Sequence, residues 1–137
     1  MTRAIQQSVV FKASPRTLFE MYMDSKKHTQ ATGGRAHISR KAGGAFTAWN
    51  KMLRGRTLLT VPNKMIVQSW RSIMFKPGDP DSILILNFTR MTGGTRLDLV
   101  HVSVPVQDHA GVTKGWPRYY WKPWKQYLAA QPRRRTR

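Results

Sequence analysis

The chain has 137 residues, 40 % of them hydrophobic, and sets 24 Lys plus Arg against 6 Asp plus Glu, a formal charge of +18. That length suits one folded unit able to bury a core without covalent staples. Cysteine is absent, which excludes disulfides, thiolate metal sites and thiol catalysis.

The opening stretch Met1-Thr2-Arg3-Ala4-Ile5-Gln6-Gln7 has no apolar signal region, and the longest aliphatic run, Ile83-Leu84-Ile85-Leu86, is too short to span a bilayer. A cytoplasmic location is expected. The basic residues are dispersed, 12 before residue 70 and 12 after it. Dispersed charge reads first as solvated faces. A field of this sign also attracts polyanions, so an acidic protein or a nucleic acid is the alternative partner.

Residues 4–12 alternate, with Ile5, Val9 and Phe11 opposite Gln6, Ser8 and Lys12, which predicts a half-buried strand. Ser14-Pro15 then predicts a helix start, Ser as cap and Pro in the first turn. Leu18, Phe19, Tyr22 and Met23 give that helix its buried stripe. Asp24-Ser25 predicts the cap of a second short helix, and Gly33-Gly34 its end.

From Ala36 to about residue 104 the period is two. Ala36, Ile38 and Arg40 alternate with His37, Ser39 and Lys41. Phe46, Ala48 and Asn50 share one side of the next strand. Gly43-Gly44, Gly55, Pro62-Asn63, Pro77 to Asp81 and Gly93-Gly94 are read as turns. Met65 to Phe75 and Leu84 to Phe88 read as further strands, as do Leu97, Leu99 and His101. Together they predict an antiparallel meander.

The final segment, Gly115 to Leu128, has six aromatic residues among fourteen. At about 100° per residue, Val112, Trp116, Tyr119, Tyr120, Trp124 and Tyr127 share one helix face. Lys114, Arg118, Lys122 and Lys125 share the other, with Trp121 at the flank. Pro117 is tolerated only in a first turn, so the helix is expected to start near Thr113 to Gly115. Pro123 then falls inside it, at a cost of about 3 kcal/mol. Burying four or five rings at about 25 cal/mol per Å² outweighs that loss.

Strand, two short helices, six strands and a long helix make an α+β fold. The residues Ala13-Ser14-Pro15, Thr32-Gly33-Gly34, Ile38-Ser39-Arg40, Gly43-Gly44-Ala45-Phe46 and Ile66-Val67-Gln68-Ser69-Trp70 come in that order. Gly94-Thr95-Arg96-Leu97, His101, Gly115-Trp116 and Tyr120-Trp121-Lys122-Pro123 come after them. With these segments the sequence resembles the SRPBCC superfamily (START-like, Bet v 1-like), and within it the branch named for the activator of the heat-shock protein 90 ATPase. The resemblance covers roughly residues 4–129. It implies a helix-grip fold over residues 1–130: a curved antiparallel sheet of about six or seven strands with the long helix packed on it. It also implies a cavity between sheet and helix that often holds a hydrophobic ligand. Residues 131–137 are expected to form a disordered basic tail.

If the apolar strand faces point to the helix, Phe46, Trp70, Leu84, Leu86, Phe88, Leu97, Leu99 and His101 meet Trp116, Tyr120 and Tyr127. These rings would line the cavity, with Gln68, His101 at its mouth and the tyrosine hydroxyls as polar handles. The expected function is non-enzymatic binding of a small apolar or aromatic ligand. The alternative is a chaperone-accessory or polyanion-binding module that uses its basic surface, Lys114, Arg118, Lys122 and Lys125. A homodimer is compatible with either. No catalytic residue, metal ligand or cofactor is expected: His28, His37 and His109 show no ligand spacing, and the Gly-Gly pairs lack the spacing of phosphate loops.

Overall fold

The structure is a computed structural model and describes residues 1–131. Of the expected basic tail only Gln131 falls among them; 132–137 lie outside the described residues. Strand β1 (Thr2–Phe11) leads to α1 (Pro15–Met23) and α2 (Ser25–Thr32). Six strands come next: β2 (His37–Ile38), β3 (Ala45–Ala48), β4 (Leu53–Val61), β5 (Met65–Ser72), β6 (Ser82–Met91) and β7 (Gly94–Pro105). Helix α3 (Val106–Trp116), a π-helical turn (Pro117–Trp121) and α4 (Lys122–Ala130) close the fold.

Both short helices start as their residues dictate. Ser14 Oγ accepts the Thr17 amide at 3.1 Å, with Pro15 in the first turn. Asp24 accepts the Lys27 amide at 2.9 Å, and Gly33, at φ 87°, ends α2.

The strands form one antiparallel sheet in the order β1-β7-β6-β5-β4-β3-β2, the helix-grip arrangement. Its inner face carries the core in register. Gln68, Leu84, His101 and Ile5 make one row, and Ile66, Leu86 and Leu99 the next. Irregularities between Arg3 and Ile5 and between Thr57 and Leu59 bend the sheet.

Expectations about the strands and the last helix are corrected, the reach of β5 among them, since it stops at Ser72 rather than Phe75. Gly55 is not a turn; it sits inside β4 opposite Trp70 and Phe46. A Cβ there would run into the Ser69 carbonyl and the Phe46 ring, so glycine serves close approach rather than chain reversal. The reversal comes earlier, at Trp49, Asn50 and Lys51, all left-handed, so Asn50 does not extend the strand of Phe46 and Ala48. Asn50 pins the reversal: its amide donates to the Arg35 carbonyl at 3.0 Å, and its Oδ1 accepts the Arg35 amide at 3.1 Å.

The last helix begins at Val106, not near Thr113. Pro105 stops β7, and Asp108 in the first turn opposes the positive helix end. Pro117 therefore lies mid-helix, without the N–H that would reach the Thr113 carbonyl. The turn widens instead, and the Lys122 amide donates to the Pro117 carbonyl, five residues back. The extra residue rotates the remainder of the helix. Trp121, expected at the flank, is 5 % exposed and stacks on Trp116 at 5.5 Å and 19°. Tyr119, expected inside, is 43 % exposed.

Candidate functional site

A cavity of about 470 Å³ opens between one end of the sheet and the last helix. The β3–β4 reversal supplies Trp49, Met52 and Leu53. The end of β5 and its loop supply Trp70, Ser72, Ile73 and Met74. Gln107, Asp108, Gly111, Val112, Gly115 and Trp116 come from α3, and Tyr119 and Tyr120 from the π turn. Five rings and five aliphatic or thioether side chains thus surround few polar groups. Gly111 makes room: a Cβ placed there meets nothing within 4 Å. At the rim, Trp49 and Tyr119 stand edge to face at 5.3 Å, and Met52, Ile73 and Met74 are exposed.

Behind the cavity wall lies a fixed hydrogen-bond chain. Trp116 Nε1 donates to His101 Nδ1 at 3.2 Å. The imidazole proton therefore sits on Nε2, which donates to Ser82 Oγ at 2.8 Å, and Ser82 Oγ donates to the Trp70 carbonyl at 2.7 Å. Burial drives the His101 pKa down to about 3, so it is neutral. With both nitrogens engaged, it has no lone pair left for general-base work.

A second chain ties the helices to the sheet. His28 Nδ1 donates to the Tyr22 carbonyl at 2.8 Å, and His28 Nε2 accepts from the Tyr120 hydroxyl at 2.9 Å. Burial lowers the His28 pKa to about 4 and raises those of Tyr22 and Tyr120. Tyr22 Oη donates to Gln68 Oε1 at 2.8 Å, and Gln68 Nε2 donates to Thr57 Oγ1 at 3.1 Å. By contrast, Trp49 Nε1, Trp70 Nε1 and Asp108 Oδ2 are covered yet have no hydrogen-bond partner, and all three residues line the cavity.

A family model described as Activator of Hsp90 ATPase homolog 1-like protein matches residues 12–129. The chain belongs to that family. Solved structures agree on the fold. An HSP90 activator from Plasmodium falciparum, PFC0360w, is 21 % identical with a TM-score of 0.79, over 94 % of this chain and 96 % of that one. Protein MLL2253 from Mesorhizobium loti is 17 % identical with a TM-score of 0.82, over 96 % of this chain and 100 % of that one. The Aha1 dimer from Colwellia psychrerythraea is 14 % identical with a TM-score of 0.80, over 93 % and 97 %. No curated protein matches the sequence.

In this member of the Hsp90-activator-like family, three expected site residues, Trp70, Trp116 and Tyr120, meet at the cavity. Phe46, Leu84, Leu86, Phe88, Leu97 and Leu99 are buried in the core and do not reach its wall. His101 is not at the mouth but fully buried behind two indoles, because it falls mid-strand in β7. Gln68 and the Tyr120 hydroxyl, expected as handles, are bonded inside the protein. Tyr127 lies at the other end of the helix, on a separate concavity. Lys114, Arg118, Lys122 and Lys125 are all exposed, as the helical wheel requires.

Sequence reasoning missed Trp49, Met52, Ile73, Met74, Gly111 and Asp108. The first four lie in reversals, where strand alternation says nothing about direction. Asp108 was legible as a charge in a helix's first turn, had the helix start been placed at Pro105. Among the described residues no group of three His, Asp or Glu could hold a metal ion, and no helix is long and apolar enough to cross a membrane.

Proposed function

We propose that the chain is a non-enzymatic binding module that takes a small, flat, largely apolar molecule into the cavity of about 470 Å³. One observation carries this reading: the cavity is walled by five rings, while the buried polar groups behind it are satisfied among themselves and stay out of chemistry. Among the described residues four buried side-chain atoms lack a partner: the Trp49 and Trp70 indole N–H and Asp108 Oδ2, whose residues line the cavity, and the Trp124 indole N–H, whose residue does not. Unmade hydrogen bonds cost about 1–3 kcal/mol each when buried. A ligand bearing a carbonyl and a hydroxyl group would relieve that cost after small side-chain shifts. What supports a chaperone-accessory role is the family description and the likeness to the Plasmodium activator; the cavity residues add nothing to it.

The test is to fill the cavity from Gly111. Gly111→Leu points into open space, so the fold is retained, and helix propensity adds up to about 1 kcal/mol of stability. An apolar naphthalene-sulfonate dye should bind the wild type and lose at least about tenfold in affinity in the variant. Equal dye binding by both proteins, each folded by circular dichroism, overturns the cavity assignment.

A further inference from the structure

We propose that the concavity between the β1–α1 corner and α4 binds single-stranded nucleic acid. It shares no lining residue with the cavity described above and is independent of that reading. Four cations from four parts of the chain converge on it: Lys12 just after β1, Arg16 on α1, Lys27 on α2 and Lys125 on α4. The space they surround is about 1330 Å³. The one carboxylate in its wall, Glu20, is gripped through both oxygens by the Arg40 guanidinium at 2.9 and 2.8 Å and is neutralised there. Among the described residues, none of the four cations is in an ion pair.

Gathering free cations around one hollow raises self-repulsion, which a polyanion relieves while releasing its own counterions. The wall also offers apolar and flat surface. Val10 is 51 % exposed and Tyr127 is half-buried, while Phe11 beneath them is buried. A single strand can set phosphates on the cations and a base face on Tyr127. A duplex hides its base faces and is stiff over about 50 nm, so it does not follow a hollow of this size. An acidic peptide matches the charges but brings no flat partner for the ring.

The test is fluorescence anisotropy with a labelled oligothymidylate about 16 nucleotides long, titrated from about 50 to 200 mM salt. Binding should weaken linearly in log salt. Lys12→Gln, Arg16→Gln, Lys27→Gln and Lys125→Gln together should reduce the slope by about 3, at about 0.7 per lost contact. The same change of charge at Arg3, Lys51, Arg54 and Lys76, exposed at the opposite end of the sheet, should leave most of the slope intact. Tyr127→Leu should weaken binding about fivefold or more at unchanged slope. Circular dichroism checks that each variant is folded. Equal losses in the two charge variants, tighter binding of a duplex or of polyglutamate, or no binding at about 150 mM salt would each overturn the proposal.

Discussion

The Gln7 side chain closes a gap left by Pro117. Its Nε2 donates to the Thr113 carbonyl at 2.8 Å, the acceptor that an ordinary residue at 117 would have used. Its Oε1 accepts the Trp121 indole N–H at 2.8 Å. One amide from the edge strand thus satisfies the two polar groups that the widened turn sets loose, and the sheet locks the register of the helix.

Removing the amide should therefore cost more than one average hydrogen bond. Gln7→Ala is expected to destabilise by about 2 kcal/mol, since it orphans an acceptor and a donor. Pro117→Ala in the Gln7→Ala background should recover part of that loss, because residue 117 regains an N–H. A double-mutant cycle by urea denaturation measures the coupling; strictly additive effects would deny the link.

The shifted register gives a sharper contrast. A plain 100° wheel puts Tyr119 inside and Trp121 at the flank. The structure reverses them, so Trp121→Ala should cost about 3–5 kcal/mol and Tyr119→Ala under about 1 kcal/mol. Chemical denaturation of the two variants decides between the arrangements.

Acid should unfold the protein through its buried histidines. His28 and His101 have pKa values lowered to about 4 and about 3, against an ordinary 6.5. The unfolded chain therefore takes up protons that the folded chain refuses. Their contribution is complete above pH about 6.5 and is lost as pH falls toward 4, on the order of 1 kcal/mol per pH unit for each histidine. Thermal midpoints should fall steeply between pH 6 and pH 4. His28→Gln should flatten the curve by about half, whatever it does to stability at neutral pH. An unchanged slope would mean that the ring is already protonated in the fold.

Gly34 controls the cavity rim from outside. It is buried, and a methyl group there would overlap the Trp49 indole. Gly34→Ala should displace that ring and cost about 1–3 kcal/mol, with a shift in tryptophan emission and weaker uptake of an apolar dye. Gly33→Ala changes no contact with Trp49 and should leave dye binding alone, although its positive φ makes it costly for stability.

Much of the architecture was legible because it rests on local rules. Ser14-Pro15 and Asp24-Ser25 announced their helices, and period-two patterning gave the strands in order and the faces of Leu84, Leu86, Leu97 and Leu99. What escaped depended on distant partners. Gly55 looks like a turn unless one knows that Phe46 and Ser69 press on it. Pro117 looks like a helix start unless Gln7, 110 residues earlier, is there to complete the bond. For the site, the tight packing of the inner leucines could not be told from a ligand-facing wall, because both use the same side chains. The cavity's own wall draws on reversals such as Trp49 to Met52, whose orientation alternation does not set.

The two margins of the sheet also bear on solubility. At one, β2 is only two residues long. At the other, β1 has its Ala4 carbonyl taken by His109 Nε2 at 3.0 Å and its Met1 carbonyl taken by the Val106 amide at 3.1 Å, beside an irregularity between Arg3 and Ile5. These contacts blunt only the start of β1; from Ile5 to Phe11 its register is unbroken, and Leu58 to Val61 of β4 extend past the end of β3. With those stretches open, the high positive charge is what keeps neighbouring molecules apart, and brine that masks it should promote association.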